Sequence, residues 1–138
     1  MTAKEWLRQG RKLEQEVRTL REQKDQAFAL VCGSSISYGS DRVQASCKNT
    51  AEDKLITYLK YANMLESKIV ELLNYRAEMI KAIGMVNDVR YRILLTAYYV
   101  NCNTWEQVAE LMVYDLRWVH RLHGEALKAI ESHYKSMI

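Results

Sequence analysis

Apolar residues in the first 31 positions recur at steps of three, four or seven: Trp6, Leu13, Val17, Leu20, Ala27 and Val31. Gly10 and Lys24 take the remaining places on that stripe. The spacing predicts one long helix over 3–31 with a heptad-like seam, about 43 Å at 1.5 Å per residue. The Arg, Lys, Glu and Gln between these positions form its solvated side. Lys24 weakens seam packing and can set register or oligomer state. The periodicity stops at residue 32. Residues 32–50 are rich in Gly and Ser, with scattered apolar positions. A connection this long is unusual inside a compact domain, and it reads as a mobile loop. A second long helix is expected over 51–83, capped by Thr50 or Asn49. Leu55, Leu59, Ala62, Ile69, Leu73, Ile80 and Ile83 form its seam, widened by Tyr58, Leu65, Leu72 and Met79. So wide a stripe needs more than one partner helix. The first helix, antiparallel across the loop, is one partner, and a second copy of the chain is the other. Gly84 is placed to end the helix.

The pattern resumes over 88–100, a third helix capped by Asn87 or Asp88, with Ile93, Leu94, Ala97 and Tyr98 facing inward. Asn101 and Asn103 bracket a turn, where Asn tolerates left-handed conformations. Thr104 and Gln107 then form a capping box for a fourth helix, whose apolar side is Val108, Leu111 and Met112. Asp115 caps a fifth. Only Val113 and Tyr114 lie between these last two, and small Ala109 sits where they cross. A helix pair joined by so short a turn has the plan of a helix-turn-helix. The fold class is therefore all-α: a long antiparallel helical hairpin over 1–84, followed by a separable three-helix head over 88–138.

The fifth helix sorts by face. At roughly 100° per residue, Val119, Leu122, Ala126 and Ile130 share one side. Arg117, His120, Arg121, Gly124 and Lys128 share the opposite side, which carries no acid. A face of this kind suits the DNA major groove, where Arg reads guanine edges and Arg or Lys meets phosphates. Gly124 in mid-helix costs about 1 kcal/mol relative to Ala, and close backbone approach to a partner is a reason to keep it. The plainer alternative is a solvated face with an incidental Gly. The DNA-contacting candidates are Thr104, Arg117, Trp118, His120, Arg121 and Lys128.

The runs Thr-Trp-Glu-Gln-Val-Ala-Glu at 104–110 and Arg-Trp-Val-His-Arg-Leu-His-Gly-Glu-Ala-Leu at 117–127 resemble the helix-turn-helix of region 4 of bacterial sigma factors. They are more similar still to small phage and prophage transcription regulators with a sigma-like C-terminus, the ArpU/RinA-like late-transcription activators. Asp-Val-Arg-Tyr-Arg-Ile-Leu-Leu at 88–95 and Thr-Ala-Lys-Glu-Trp-Leu at 2–7 fit the same pattern. The resemblance is specific over about 88–130. It implies a three-helix head of the sigma-region-4 type, double-stranded DNA as partner, and activation of transcription with contact to host RNA polymerase. It also implies that Arg117 and Arg121 occupy promoter-contacting positions. Two residues depart from the pattern. Val113 stands where the turn normally has Gly, and a β-branched residue fits a left-handed turn poorly. Leu116 stands where the recognition helix usually begins with a basic or polar residue.

Composition narrows this reading. A chain of 138 residues is long enough for one domain or a small domain with an extension, and far too short to hold the other sigma regions. No apolar run approaches the roughly 20 residues needed to span a bilayer, and the N-terminus lacks a signal-peptide pattern, so a cytoplasmic protein is expected. Net charge is +3. The stretch 88–138 carries six basic and six acidic residues, which argues against strong non-specific DNA binding and for a second subunit or polymerase adding affinity. Cys32, Cys47 and Cys102 show no paired spacing and read as free thiols. His120 and His123 lie three apart, but no further ligand stands beside them, so no metal site is expected. Glu106 and Glu110 read as solvating charges. Neither a phosphate loop nor a nucleophile motif is present, and neither enzymatic activity nor a cofactor is expected. Two other readings stay open: a small-terminase-like DNA-packaging subunit, and a protein whose helix-turn-helix touches RNA polymerase or a sigma factor.

Overall fold

The computed structural model describes residues 1–34 and 50–137, and among them every regular element is helical. The elements are α1 (Ala3–Ser34), α2 (Ala51–Gly84), α3 (Val89–Leu95), a π-helical turn (Thr96–Val100), α4 (Trp105–Met112) and α5 (Leu116–Met137). None of the described helices is long and apolar enough to cross a membrane. Of the loop expected over 32–50, residues 32–34 continue α1 as helix. The rest of it, with Cys47, lies outside the described residues. The chain divides into two compact units: Met1–Glu14 with Leu72–Ile138, and Gln15–Glu71.

In the Gln15–Glu71 unit, Lys68 Nζ meets a Glu16 carboxylate oxygen at 3.0 Å, and the Phe28 and Tyr58 rings lie 5.5 Å apart. The partners descend along α2 as they climb along α1, so the two helices run antiparallel here. Val17 and Ala27 are buried on the α1 seam, as its 3.5-residue spacing predicts.

The inward side of α2 differs from the expected one. Leu65, Leu72 and Met79, expected only to widen the seam, are its buried centre, and Val86 extends their seven-residue step. Leu55, Leu59, Leu73 and Ile80 of the expected seam are exposed. Both stripes keep the same repeat, so periodicity alone does not rank them. The narrow seam of α1 covers one stripe and leaves the other.

In the unit built on residues 1–14 and 72–138, α1 begins against the end of α5. Ala3 N–H donates to Glu131 Oε2 at 2.8 Å. The Trp6 ring lies between Tyr75 and Tyr134, with centroids at 5.8 and 5.4 Å. Tyr75 O–H donates to the Trp6 carbonyl at 2.6 Å, and Arg76 pairs with Glu14 at 2.6 Å. The unit thus takes in chain on both sides of 84–88. Between α2 and α3, Arg92 Nη1 donates to the carbonyls of Val86 and Asn87 at 2.6 and 3.0 Å, closing the turn. Asp88 caps α3 by accepting from Arg90 N–H at 2.8 Å.

The expected helix 88–100 is regular only to Leu95. Asn101 N–H then donates to the Thr96 carbonyl five residues back, which adds one residue to the turn. That extra residue rotates the following side chains. Leu94, Leu95, Ala97, Tyr99 and Val100 are buried, whereas Ile93 is 43% exposed. Of the residues bracketed by Asn101 and Asn103, Cys102 takes the left-handed conformation, with φ 57°.

Gly10 explains its own place on the α1 stripe. A Cβ there would overlap Met79 Sδ and lie 2.8 Å from its Cε, and Met79 is fully buried. The glycine lets the two helices approach across this point. Gly10→Val is expected to cost about 1–3 kcal/mol through overpacking, read as a lower urea midpoint at unchanged m-value.

Candidate nucleic-acid interface

The side chains around α4 and α5 are set by caps and by one strained turn. Gln107 N–H donates to Thr104 Oγ1 at 3.2 Å, and Thr104 N–H donates to Gln107 Oε1 at 2.9 Å, which is the expected capping box. Trp118 N–H donates to Asp115 Oδ1 at 2.8 Å, so Asp115 caps α5 as expected. Between the helices Val113 takes φ 58° and ψ 42°. Its departure from Gly therefore leaves the left-handed turn in place, at a steric cost of about 1–2 kcal/mol. Tyr114 N–H returns to the Ala109 carbonyl at 3.1 Å, and Val113 itself is 86% exposed.

α5 packs chiefly against α3 and α4. Val119, Leu122, Ala126 and Ile130 are each fully buried. Their burial sets the rotation of the helix and turns Arg117, His120, Arg121, Gly124 and Lys128 outward, where all five are exposed. Trp118 is 36% exposed and lies edge-on to Tyr114. The Arg121 guanidinium stands 5.7 Å from the Trp118 ring centroid, a cation–π arrangement that limits where this arginine points. A Cβ on Gly124 would meet nothing within 4 Å, so no packing inside the chain requires glycine there. Thr104 is exposed, and although its oxygen accepts the capping bond, its own O–H is a further donor. The acids of α5 nearest this face are engaged elsewhere. Glu125 accepts from Tyr91 O–H at 3.0 Å, and Glu131 accepts from Ala3 N–H.

An aromatic stack holds the start of α4 against α5. The Tyr98 and Trp105 rings stack at 3.7 Å. The Arg11 guanidinium lies 4.0 Å above Tyr98 and donates to the carbonyls of Tyr98 and Asn103 at 2.5 and 3.2 Å. Trp105 also contacts His120 at 4.9 Å and His123 at 4.6 Å. The two histidines differ in surroundings. His120 is exposed, whereas His123 is half-buried and shares a 2.7 Å hydrogen bond with Tyr99. Burial, aided by the positive charges of Lys4, His120 and Arg8, pushes the His123 pKa down to about 4. Burial likewise pushes the Tyr99 hydroxyl up to about 12, so both groups are neutral at pH 7.

Lys4 and Arg8 are the residues that sequence reasoning missed. Both are exposed, one turn apart on α1, and close enough to His123 for their charge to act on it. Two cations from the far end of the chain thus act on His123. The signal in the sequence is their spacing of four, but nothing local assigns that side of α1 to this neighbourhood.

Two measurements check this geometry. Val113→Gly removes the Cβ clash of the left-handed residue and little packing, so it is expected to stabilise the protein by about 1 kcal/mol in denaturant unfolding. The lowered pKa of His123 means that the unfolded chain binds a proton the folded chain refuses. Stability is therefore expected to be level near pH 7 and to fall as pH drops from about 6.5 toward about 4. His123→Gln should flatten that part of the Tm-against-pH profile, and an unaltered slope would show that another group controls it.

No curated protein and no solved structure matches the chain. A family model described as protein of unknown function (DUF1492) matches residues 30–131. That span holds α2, α3, the π-helical turn, α4 and most of α5, including Thr104, Arg117, Trp118, His120, Arg121 and Lys128, and on it the chain belongs to the DUF1492 family.

Proposed function

We propose that this protein is a sequence-specific DNA-binding transcription regulator of the phage or prophage type, an activator that works with host RNA polymerase. In this reading α4, the Val113 turn and α5 are a helix-turn-helix. Residues 88–138 form a sigma-region-4-like head, and the helices of 1–84 form a supporting hairpin. The observation that carries the reading is the outward face of α5: Arg117, His120, Arg121 and Lys128, all exposed, around a glycine that internal packing does not require. The resemblance of 104–110 and 117–127 to sigma region 4 supports it independently.

The roles divide by position. Arg117 lies in the first turn of α5, the part that enters the groove deepest in such motifs. Arg121 lies one turn later, steadied by Trp118, and reaches a base edge or a phosphate. Gly124 admits the DNA backbone closely. Thr104, at the N-terminus of α4, offers its hydroxyl to a phosphate, where the helix dipole also favours an anion. Lys128, with Lys4 and Arg8, adds phosphate contacts that carry affinity without sequence information. His120 contributes less, since a single imidazole edge offers fewer donors than the guanidinium forks of Arg117 and Arg121.

The test is binding of variants to a footprinted genomic site and to a scrambled duplex at two salt concentrations, with circular dichroism confirming the fold. Arg117→Ala is expected to cost about 1–3 kcal/mol on the specific site and to relax preference at one base pair. Arg121→Ala should cost a similar amount if it reads a base. If it meets only phosphate, it should weaken both duplexes and lower the salt slope by about one, as Arg8→Ala should. Lys60→Ala, on α2, serves as the control. Parent-like binding of both duplexes by the Arg117 and Arg121 variants would overturn the proposal.

A further inference from the structure

Arg11 belongs to neither helix of the proposed motif, yet its side chain is committed to the approach to α4. Its Nη1 donates to the Tyr98 carbonyl at 2.5 Å and to the Asn103 carbonyl at 3.2 Å. Carbonyls at the end of a helix lack an intrahelical donor, and Tyr98 lies in the π-helical turn that ends one. Asn103 is the residue before the Thr104 cap. Between these two carbonyls lies Cys102, with φ 57°. A left-handed residue redirects the chain, so tying the carbonyls on either side of it to one donor sets the direction in which α4 starts.

The same guanidinium reaches α4 through a ring. It lies 4.0 Å above Tyr98, and Tyr98 stacks on Trp105 at 3.7 Å with 14° between the planes. Trp105 is the first residue of α4, and it contacts His120 at 4.9 Å and His123 at 4.6 Å on α5. One planar cation therefore holds the residue before Thr104 by a carbonyl and the residue after it by a stack. A lysine cannot do both, since an ammonium is a point charge on a flexible stem, without a plane or a fixed fork. Arg11 is half-buried against these groups, unlike the exposed Lys4 and Arg8 of the same helix.

We propose that Arg11 is a positioning residue of the DNA interface. It orients the first turn of α4, and with it the Thr104 hydroxyl, relative to the outward face of α5, and it does not itself touch DNA. This rests on the DNA-binding reading above. Arg11 and Asn103 are 92 positions apart, so residues 88–138 cut away from α1 would lose this hold. Phosphate contacts fix the register in which base contacts are made. A displaced Thr104 therefore weakens specific binding and spares loose electrostatic binding, which needs no fixed geometry.

Full-length variants are compared on the footprinted site and the scrambled duplex at two salt concentrations, with circular dichroism confirming the fold. Arg11→Ala is expected to raise the dissociation constant about tenfold on the specific site and less than about threefold on the scrambled duplex, at an unchanged salt slope. Arg11→Lys keeps the charge and should still bind the specific site about fivefold more weakly than the parent. It carries the same comparison if Arg11→Ala does not fold. Coupling to Thr104 separates positioning from a general loss of stability. Thr104→Asp keeps an N-cap acceptor but sets an anion against phosphate, and should weaken binding about tenfold in the parent. In the Arg11→Ala or Arg11→Lys background it should add less than about threefold, because Thr104 no longer meets the phosphate. Penalties that simply multiply would overturn the proposal, as would full rescue by Arg11→Lys. A salt slope lower by about one in Arg11→Ala would overturn it too, since it marks a direct phosphate contact. Parent-like binding by Arg11→Ala beside a weakened Arg117→Ala overturns this inference alone. Parent-like binding by the Arg117 and Arg121 variants overturns the DNA reading and this inference with it.

Discussion

The buried stripe of α5 is the constraint on which the C-terminal half depends. Val119, Leu122, Ala126 and Ile130 have no exposed surface, and together they remove enough apolar area from water to dominate the packing of α3 and α4 around them. Because these four share one side of a 3.6-residue helix, burying them leaves no freedom in how α5 is rotated. The outward side is then determined as well, and it is the side with two arginines, a lysine, an exposed histidine and a glycine. The candidate interface is the complement of the core, reached without any interaction dedicated to holding Arg117 outward.

The same core tolerates two backbone irregularities, and each has a visible consequence. The extra residue of the π-helical turn rotates Tyr99 and Val100 inward, and brings Tyr98 onto Trp105 and beneath Arg11. That stack connects α1 to the first turn of α4, so the N-terminal residues are structural partners of α4. The left-handed Val113 is the second irregularity. Strain of this size persists only where the surroundings over-determine the conformation. Here the Asp115 cap, the Tyr114 return bond and the buried faces of both helices do so.

α2 shows a different economy. It keeps one heptad stripe against α1 and carries a second in which Leu55, Leu59, Leu73 and Ile80 are exposed. The lateral ion pairs of this stretch, Lys68 with Glu16 and with Glu71, are solvent-accessible and contribute little. What holds such a helix is apolar burial, and the exposed second stripe offers more of it.

Local signals settled much of this protein in advance. The long helices, the capping box at Thr104 and Gln107, the Asp115 cap and the division of α5 into a buried and a basic side were all legible, because each depends on residues within about four positions of one another. The all-helical class followed from the same periodicities. Other features required chain that is distant in sequence. Which α2 stripe is buried depended on the narrow seam of α1, since both stripes obey the same repeat. The register after Leu95 depended on a π-helical turn that the pattern of apolar residues does not mark. Lys4 and Arg8 came beside His123 because Ala3 and Trp6 dock on the end of α5, more than a hundred residues away. The depressed His123 pKa is likewise a product of burial against Tyr99 and of charges from α1. Periodicity fixes which side of a helix is apolar, but only packing decides what that side meets.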